Sequence, residues 1–289
     1  MTPDATPAKE PLIRNISDTA RWTAFHRAVE TDRPDALFRD PFARRLAGQR
    51  GQDIHRQMAG PGGEWSQALR THLFDRAILA AIEKGADTVV NLAAGLDARP
   101  YRMALPQTLR WVEVDLPAIL KEKEEVLRAE KPVCRLERFP LDLADVPARQ
   151  RLFARIGSTT RHAVVVSEGL VVYLEPAGAT SLARDLAAPP AFRRWVLDMM
   201  SPGLLKMLSK RWAVHFEHAR SPLKFAPPEG PDFFQPAGWK PAEVHPLLKA
   251  AAKAKRLPFL LRLVALLPES SGKQGGRPWG GVCVLERSS

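Results

Sequence analysis

Residues 87–115, DTVVNLAAGLDARPYRMALPQTLRWVEVD, constrain the fold of this chain more than any other stretch. Thr88-Val89-Val90-Asn91-Leu92 is a short run of β-branched and apolar residues between the turn formers Gly85 and Gly95, the pattern of a strand buried on both faces. After Gly95 a turn and a short helical stretch carry Asp97, Arg99 and Arg102, and a second strand over residues 109–114 runs into Asp115. Strand, glycine turn, helix and a strand ending in an acid make up half of a nucleotide-binding α/β unit. Glycine after the first strand lets a ligand approach the backbone, and a carboxylate about 20 residues later is placed to accept hydrogen bonds from ribose hydroxyls. The glycine count then separates ligand classes. A dinucleotide pyrophosphate is held by G-x-G-x-x-G and a helix N-terminus. Here the turn, A-A-G-L-D-A-R, has one glycine and an aspartate that repels a pyrophosphate but tolerates a cationic sulfonium.

The rest of the chain extends this unit into an α/β domain. A length of 289 residues suits one elaborated domain, and a hydrophobic share of 45% supplies a large core. Lys and Arg number 43 against 32 Asp and Glu, a net charge of +11, but the basic residues are scattered without a run of five, so no nucleic-acid partner is expected. Lys249, Lys253, Lys255 and Arg256 beside an Ala-rich helix read as a solvated face. Cys134 and Cys283 lie far apart in strand-like runs and read as buried thiols. Residues 1–15 carry Pro and charge where a secretory signal has an apolar run. The most apolar stretch, residues 257–267, holds Pro258 and Arg262 and is too short to span a bilayer, so it reads as a strand. A cytoplasmic protein without a membrane partner is expected.

In chain order, residues 17–30 form a helix with Trp22 and Phe25 near its apolar side and Ser17 or Asp18 as cap. Residues 35–48 form a second, ending at Gly48, and residues 65–84 a long amphipathic one with Arg70 in its first turns. A charged helix after Asp115 presents only a solvated face. A third strand over residues 133–139 leads to Asp142 and Leu143, with Asp142 or Asp145 also able to cap the next helix. A fourth, residues 162–166, ends at Ser167-Glu168-Gly169. Gly95, Asp115, Asp142 and Glu168 thus fall at strand ends, where ligands of open α/β sheets bind. A crossover helix over residues 175–187 and a fifth strand over 192–199 follow. Residues 201–252 are rich in aromatics, Trp212, Phe216, Phe225, Phe233, Phe234 and Trp239, which suit either a lid walling an apolar acceptor pocket or plain core. His215 and His218 have no evident third ligand, so no metal is expected. Strands over residues 256–267 and 282–286 complete a terminal hairpin.

NLAAGLDARPYR with WVEVD, together with EGLVVYL over residues 168–174, resembles the leucine carboxyl methyltransferase family, including its bacterial branch of O-methyltransferases. That family's motifs have the forms L-G/A-A-G-h-D-x-R-x-x-R and E-G-h-h-x-Y-L. The likeness extends over about the whole chain, with its specific motifs between Arg70 and Leu174, and it departs at Ala93, often glycine in the family. It implies a class I methyltransferase fold: α/β, Rossmann-like, a mostly parallel seven-stranded sheet with an antiparallel last strand, plus N-terminal helices and a helical lid insertion. It implies one domain over residues 1–289, divided into an N-terminal cap (16–84), a cofactor-binding core (85–200), a lid (201–252) and a terminal hairpin (253–289). The implied cofactor is S-adenosyl-L-methionine. Arg70 would meet its methionine carboxylate, a surface pair with Asp75 being the other reading. Asp115 would hold the ribose, Asp142 and the Leu143 amide the adenine, and Glu168 the ammonium, unless Glu168 caps the next helix. Tyr173 would stand on the acceptor side beside the transferred methyl, and the N-terminal helical segment that holds Asp40-Pro41-Phe42-Ala43 would close over cofactor and acceptor, the other reading being that these helices only cover a sheet edge.

Methyl transfer from a sulfonium is an in-line displacement in which the protein aligns the acceptor and excludes water. A carboxylic acid is already ionised at neutral pH and needs no base, whereas a phenol needs one nearby. No histidine stands in the motif segments, and His215, His218 and His245 have no assigned place. The expected acceptor is therefore a small-molecule carboxylate, aromatic or polyketide-like, converted to its methyl ester. A phenolic hydroxyl acceptor and a non-catalytic S-adenosylmethionine-binding protein are the alternatives. A nicotinamide oxidoreductase is opposed by the single-glycine turn. Oligomeric state is left open.

Overall fold

The computed structural model describes residues 16–58, 64–218, 222–267 and 276–288. The chain opens with helices α1 (Ile16–Thr31), α2 (Ala43–Met58) and α3 (Glu64–Glu83). Five strands then alternate with helices: β1 (Thr88–Leu92), α4 (Arg99–Arg102), β2 (Arg110–Asp115), α5 (Pro117–Leu127), β3 (Arg135–Pro140), α6 (Val146–Ser158), β4 (Ala163–Ser167), α7 (Pro176–Ala187) and β5 (Phe192–Met200). Helix α8 (Pro202–His218), strand β6 (Trp239–Pro246), helices α9 (Leu247–Lys253) and α10 (Phe259–Val264) and strand β7 (Gly280–Arg287) finish it.

The seven strands form one sheet in the order β3-β2-β1-β4-β5-β7-β6. Strands β1 to β5 are mutually parallel, and β7 runs antiparallel between β5 and β6. Every residue of β1 and β4 is buried, as expected of central parallel strands with helices on both faces. On one face Val90, Val112, Val165 and Trp195 pack with Phe153 of α6 and Leu182 of α7. On the other Val89, Trp111, Val164 and Val196 meet Phe74 and Ile78 of α3. Helices α1 and α2 pack on each other over the turn that follows β1, where Ala24, Phe25 and Leu46 bury Leu96 and Ala98. The order reverses between β1 and β4, so the crevice at that switch opens toward the strand C-termini.

Several local expectations are corrected. The second helix starts at Ala43, not at residue 35, because Asp40 turns the chain first, its Oδ1 accepting from the Phe42 amide at 3.2 Å. Gly48 does break it, with φ 58 and ψ −172, yet the helix resumes to Met58 because Ile54 and Met58 still bury their side chains. Asp18 lies in the first turn of α1, buried, and pairs with Arg21 at 3.3 Å and Arg50 at 3.1 Å. The face of α5 is not only solvated: Ile119, Lys123 and Leu127 follow one another at helical spacing, Ile119 and Leu127 joining the cluster of Phe25, Leu46 and Leu96, and the fully buried Lys123 ammonium donates to Glu113 of β2 at 2.9 Å. Arg138 of β3 reaches the other Glu113 oxygen at 2.8 Å.

The last correction concerns the sheet edge. Residues 256–267 form no strand: β7 pairs with β5 on one side and with β6 on the other, so both its edges are already taken. The apolar run forms the short helix α10 instead. Strand β6 therefore lies inside residues 201–252, expected as a lid, and several aromatics there are core. Phe225, Phe234 and Trp239 are buried, and Trp195 of β5 meets Phe234 at 4.8 Å and Trp239 at 5.7 Å between ring centroids. The side chains of Trp212, His215, Phe216 and His218 lie outside the described residues.

Ala93, the first residue after β1, has φ 50. The left-handed region costs a residue with a Cβ roughly 1–2 kcal/mol. Ala93→Gly is expected to raise the unfolding free energy by about 1 kcal/mol, reduced by the greater freedom of glycine in the unfolded chain. Urea denaturation with an unchanged slope checks it.

Candidate active site

Gly95 follows β1 with φ 46, and its amide donates to Asp115 Oδ2 at 2.6 Å, while the Leu116 amide donates to Oδ1 at 2.7 Å. Two amides thus orient the Asp115 carboxylate at the end of β2. Burial pushes its pKa up, only partly offset by those amides and by Lys123. At the end of β3 the question of the cap resolves: Asp145 caps α6 by accepting from the Ala148 amide at 3.0 Å. Asp142 is exposed, with Oδ1 accepting from the Ala144 amide at 2.9 Å.

Beyond β4 the site is built from charge. Glu168 does not cap the next helix. It accepts from Arg99 Nη2 at 2.7 Å, from Arg70 Nε at 3.1 Å and from the Thr71 hydroxyl at 3.4 Å. Arg70 also donates to Asp198 of β5 at 3.4 Å, and the Gly169 amide donates to the other Asp198 oxygen at 2.6 Å. Arg70 is therefore not paired with Asp75. That carboxylate belongs to Arg99, at 2.6 Å, and to Arg102, which grips both its oxygens at 2.8 and 2.7 Å. Arg99 reaches Asp97 as well, at 2.8 Å, and Asn91 of β1 donates to the same Asp97 oxygen at 2.8 Å.

Three guanidiniums thus hold four buried or half-buried carboxylates. For Asp75, burial alone would raise the pKa, but Arg102 and Arg99 outweigh it and hold the carboxyl below its ordinary value. Glu168 is likewise lowered, Arg99 and Arg70 overcoming burial, and Asp97 is lowered strongly by Arg99, Lys123 and Arg102 against burial. Asp198 goes the other way: its burial, joined by repulsion from Glu168, exceeds the pull of Arg70 and the Gly169 amide.

All six expected cofactor positions, Arg70, Gly95, Asp115, Asp142, Leu143 and Glu168, line a single cavity of about 1280 Å³, and Tyr173 lines it too. Burial, with Asp198 adding to it against Arg70, lifts the Tyr173 hydroxyl to about 12, so it stays a neutral phenol. The Asp40-Pro41-Phe42-Ala43 segment does not line the cavity. Asp40 instead accepts from Arg27 at 2.9 Å, and Arg27 donates to the Leu96 carbonyl at 2.6 Å, which clamps α1 onto the glycine turn.

Asp97, the acid of the glycine turn, lines the cavity as well, and among its other titratable wall residues sequence reasoning missed Asp198, His26 and His55. Asp198 carried a usable signal, an acid near the end of the fifth strand, but it sits among the apolar residues of VLDMM. His26 stands one helical turn after Trp22, in the N-terminal segment that the resemblance places over the site, but no local signal marks this imidazole as facing the cavity. Neither ring nitrogen of His26 has a hydrogen-bond partner among the described residues. Burial, with His55 and Arg70 adding to it, lowers its pKa to about 3, and its ring centroid is 4.9 Å from that of His55.

The model of the leucine carboxyl methyltransferase family matches residues 20–187. The chain belongs to that family. As a member it is an S-adenosyl-L-methionine-dependent methyltransferase. Two relatives from Mycobacteroides abscessus carry the name "Putative S-adenosyl-L-methionine-dependent methyltransferase". One is 34% identical over 232 residues, spanning 74% of this chain and 75% of its own. The other is 28% identical over 278 residues, spanning 86% of this chain and 90% of its own. Among solved structures, a "putative methyltransferase" from Thermobifida fusca covers 100% of both chains with a TM-score of 0.58 at 15% identity. A DUF574 family protein from Streptomyces avermitilis covers 94% of this chain and 97% of its own with a TM-score of 0.56 at 16% identity. The sheet order and the antiparallel β7 agree with that shared fold.

The charge network generates a stability prediction. Because Asp75, Asp97 and Glu168 are held below their ordinary range, their contribution is present above about pH 4 and is lost as pH falls through the lowered values. Asp75→Asn leaves Arg99 and Arg102 short of a buried counter-charge. It is expected to cost about 3–5 kcal/mol and to flatten the acid limb of the stability profile. Urea unfolding at a series of pH values measures both.

Proposed function

We propose that this methyltransferase transfers the methyl group to an oxygen of a largely apolar small molecule, a carboxylate that becomes a methyl ester. The observation that carries the reading is the one cavity. Its 1280 Å³ exceeds the roughly 300–1,000 Å³ of an ordinary small-molecule site, which supports joint occupation by cofactor and acceptor. Beside the charged strand ends its walls are apolar, with Trp22, Met58, Trp65, Leu204 and Trp279 among them.

The residues at the strand ends fit S-adenosyl-L-methionine. Asp115 has its carboxylate oriented by two amides and makes no ion pair among the described residues, which suits a ribose diol whose hydroxyls donate to it. Asp142 and the Leu143 amide suit the adenine edge. Glu168 and Arg70, opposite charges side by side, suit the ammonium and carboxylate of an amino-acid end, and a guanidinium offers the carboxylate two parallel bonds. When bound, the cofactor supplies an electrophilic methyl. The chain's residues bind, orient the acceptor oxygen and exclude water, with Tyr173 as a neutral hydrogen-bond donor on the acceptor side.

A carboxylate acceptor is nucleophilic at neutral pH without a base. A second reading, a phenolic hydroxyl acceptor, is favoured by the place of His26 in the cavity wall with both ring nitrogens unpartnered among the described residues, while burial, which lowers its pKa to about 3, makes the imidazole a weak base there.

Asp115→Ala is expected to weaken S-adenosylmethionine binding by about 1–3 kcal/mol with the fold intact, measured by calorimetry. Unchanged affinity removes the ribose assignment. The acceptor reading is tested by incubating the protein and its His26→Asn variant with methyl-labelled cofactor and candidate acids and phenols, then treating the product with mild alkali. A methyl ester releases methanol, and on this reading His26→Asn retains most of its kcat. A base-stable label, with kcat lowered about 10²–10⁴-fold in the variant, establishes the hydroxyl reading in its place.

A further inference from the structure

We infer that the mouth of the cavity docks on an anionic membrane surface through α10 and the adjoining side of α8, and that the acceptor enters from the bilayer. The inference rests on the reading of an apolar acceptor. No residue of α10 is buried. Phe259 is 72% exposed, Leu260 73%, Leu263 56%, Leu266 81% and Leu267 62%, five large apolar side chains within nine positions. Single exposed leucines are ordinary on a soluble protein, but a contiguous group of this kind marks an interaction surface.

Position and charge indicate what the surface meets. Leu261, Val264, Ala265 and Leu267 line the cavity from α10 and the residues after it, and the half-exposed Met207 lines it from α8. The outward apolar face is therefore continuous with the cavity wall, and an apolar molecule passing between them stays out of water. Residues 202–211 and 247–267 contain eight Lys or Arg and no Asp or Glu, in a chain whose basic and acidic residues number 43 and 32. Lys206, Lys210, Arg211, Lys253 and Lys255 are exposed. Apolar side chains beside cations of one sign are what an interfacial element needs: the former enter the acyl boundary while the latter meet anionic headgroups.

Residues 259–267 hold one polar side chain, Arg262, whose guanidinium donates to the Leu257 carbonyl at 3.0 Å, so the tip presents apolar side chains flanked by cations, the combination a lipid surface takes. The element is also anchored for the task. Arg256, just before it, is 5% exposed and pairs with Glu30 of α1 at 3.0 Å and with Asp35. Among the described residues no helix is long and apolar enough to cross a membrane, so the association is with the surface.

The full chain is sedimented with phosphatidylcholine vesicles with and without phosphatidylserine. The Leu260→Gln, Leu263→Gln, Leu266→Gln triple variant, none of whose changed residues lines the cavity, is run beside it. The expected result is co-sedimentation with the anionic vesicles, weakened by added salt and at least roughly tenfold weaker both for neutral vesicles and for the variant. Three results overturn it: no vesicle binding by the parent chain, anionic binding that the variant retains, which would be charge adsorption alone, or a dimer by light scattering that the variant dissolves, which would make α10 a contact between copies. Calorimetry with S-adenosylmethionine on both proteins keeps the two readings apart. Vesicle binding without cofactor binding removes the proposed function and leaves the docking surface, and the reverse removes only the docking surface.

Discussion

The arrangement of the site depends on the guanidinium of Arg99. It is 2% exposed and joins Asp75 from α3, Asp97 from the turn after β1 and Glu168 from the end of β4, three elements whose order in the chain gives no reason to meet. A cation taken so far out of water needs its donors matched, and the planar fork of Arg99 lets three carboxylates and, at 3.4 Å, the Thr71 carbonyl accept from it at once. Arg102 repeats the device one turn on, gripping Asp75 from the other side. Because Arg99 joins all three, the ends of β1 and β4 and the first half of α3 are held in a fixed relation. Arg70 on α3 is thereby delivered to the cavity beside Glu168.

This framework explains why the cavity has two characters. Toward the strand ends its wall is carboxylates and guanidiniums, oriented by backbone amides of Gly95, Leu116 and Gly169. Toward the helices it is largely apolar, with Trp22 and Met58 of α1 and α2 and Leu204 after β5 beside the imidazoles of His26 and His55. The cap is tied down by the Arg27 link between Asp40 and Leu96, so α1 rides on the same turn that carries Gly95. A Cβ on Gly95 would meet the Ala20 Cβ at 3.5 Å, ordinary contact, so glycine is needed there for its positive φ and not for lack of room.

The elements that were misread share a cause. Lys123 in α5 reads as one of several interleaved charges, and only the presence of Glu113 on the facing strand makes burial of its ammonium possible. Residues 256–267 have the composition of a strand, but a strand needs an open edge, and β6 had already taken the one that β7 offered. The aromatics Phe225, Phe234 and Trp239 suit a pocket wall as well as a core. Trp195 of β5, distant in sequence, meets Phe234 and Trp239 in the core, and Phe225 packs on Phe234. In each case the deciding partner is remote along the chain, where periodicity carries no information.

The sequence by itself determined the alternating parallel strands, the single-glycine turn and the acids at the strand ends, because these follow from local chemistry: buried runs must pair, a positive φ calls for glycine, and ligands collect where parallel strands stop. Its likeness to the family pointed to six positions, Arg70, Gly95, Asp115, Asp142, Leu143 and Glu168, that line the cavity together. Tertiary structure alone decided which carboxylate each arginine takes, that β6 and not residues 256–267 completes the sheet, and that His26 and His55 face the cavity. The physical reason is that charge pairing, edge pairing and burial are settled by competition among groups brought together only by the whole fold, and the losing alternatives are locally as good as the winners.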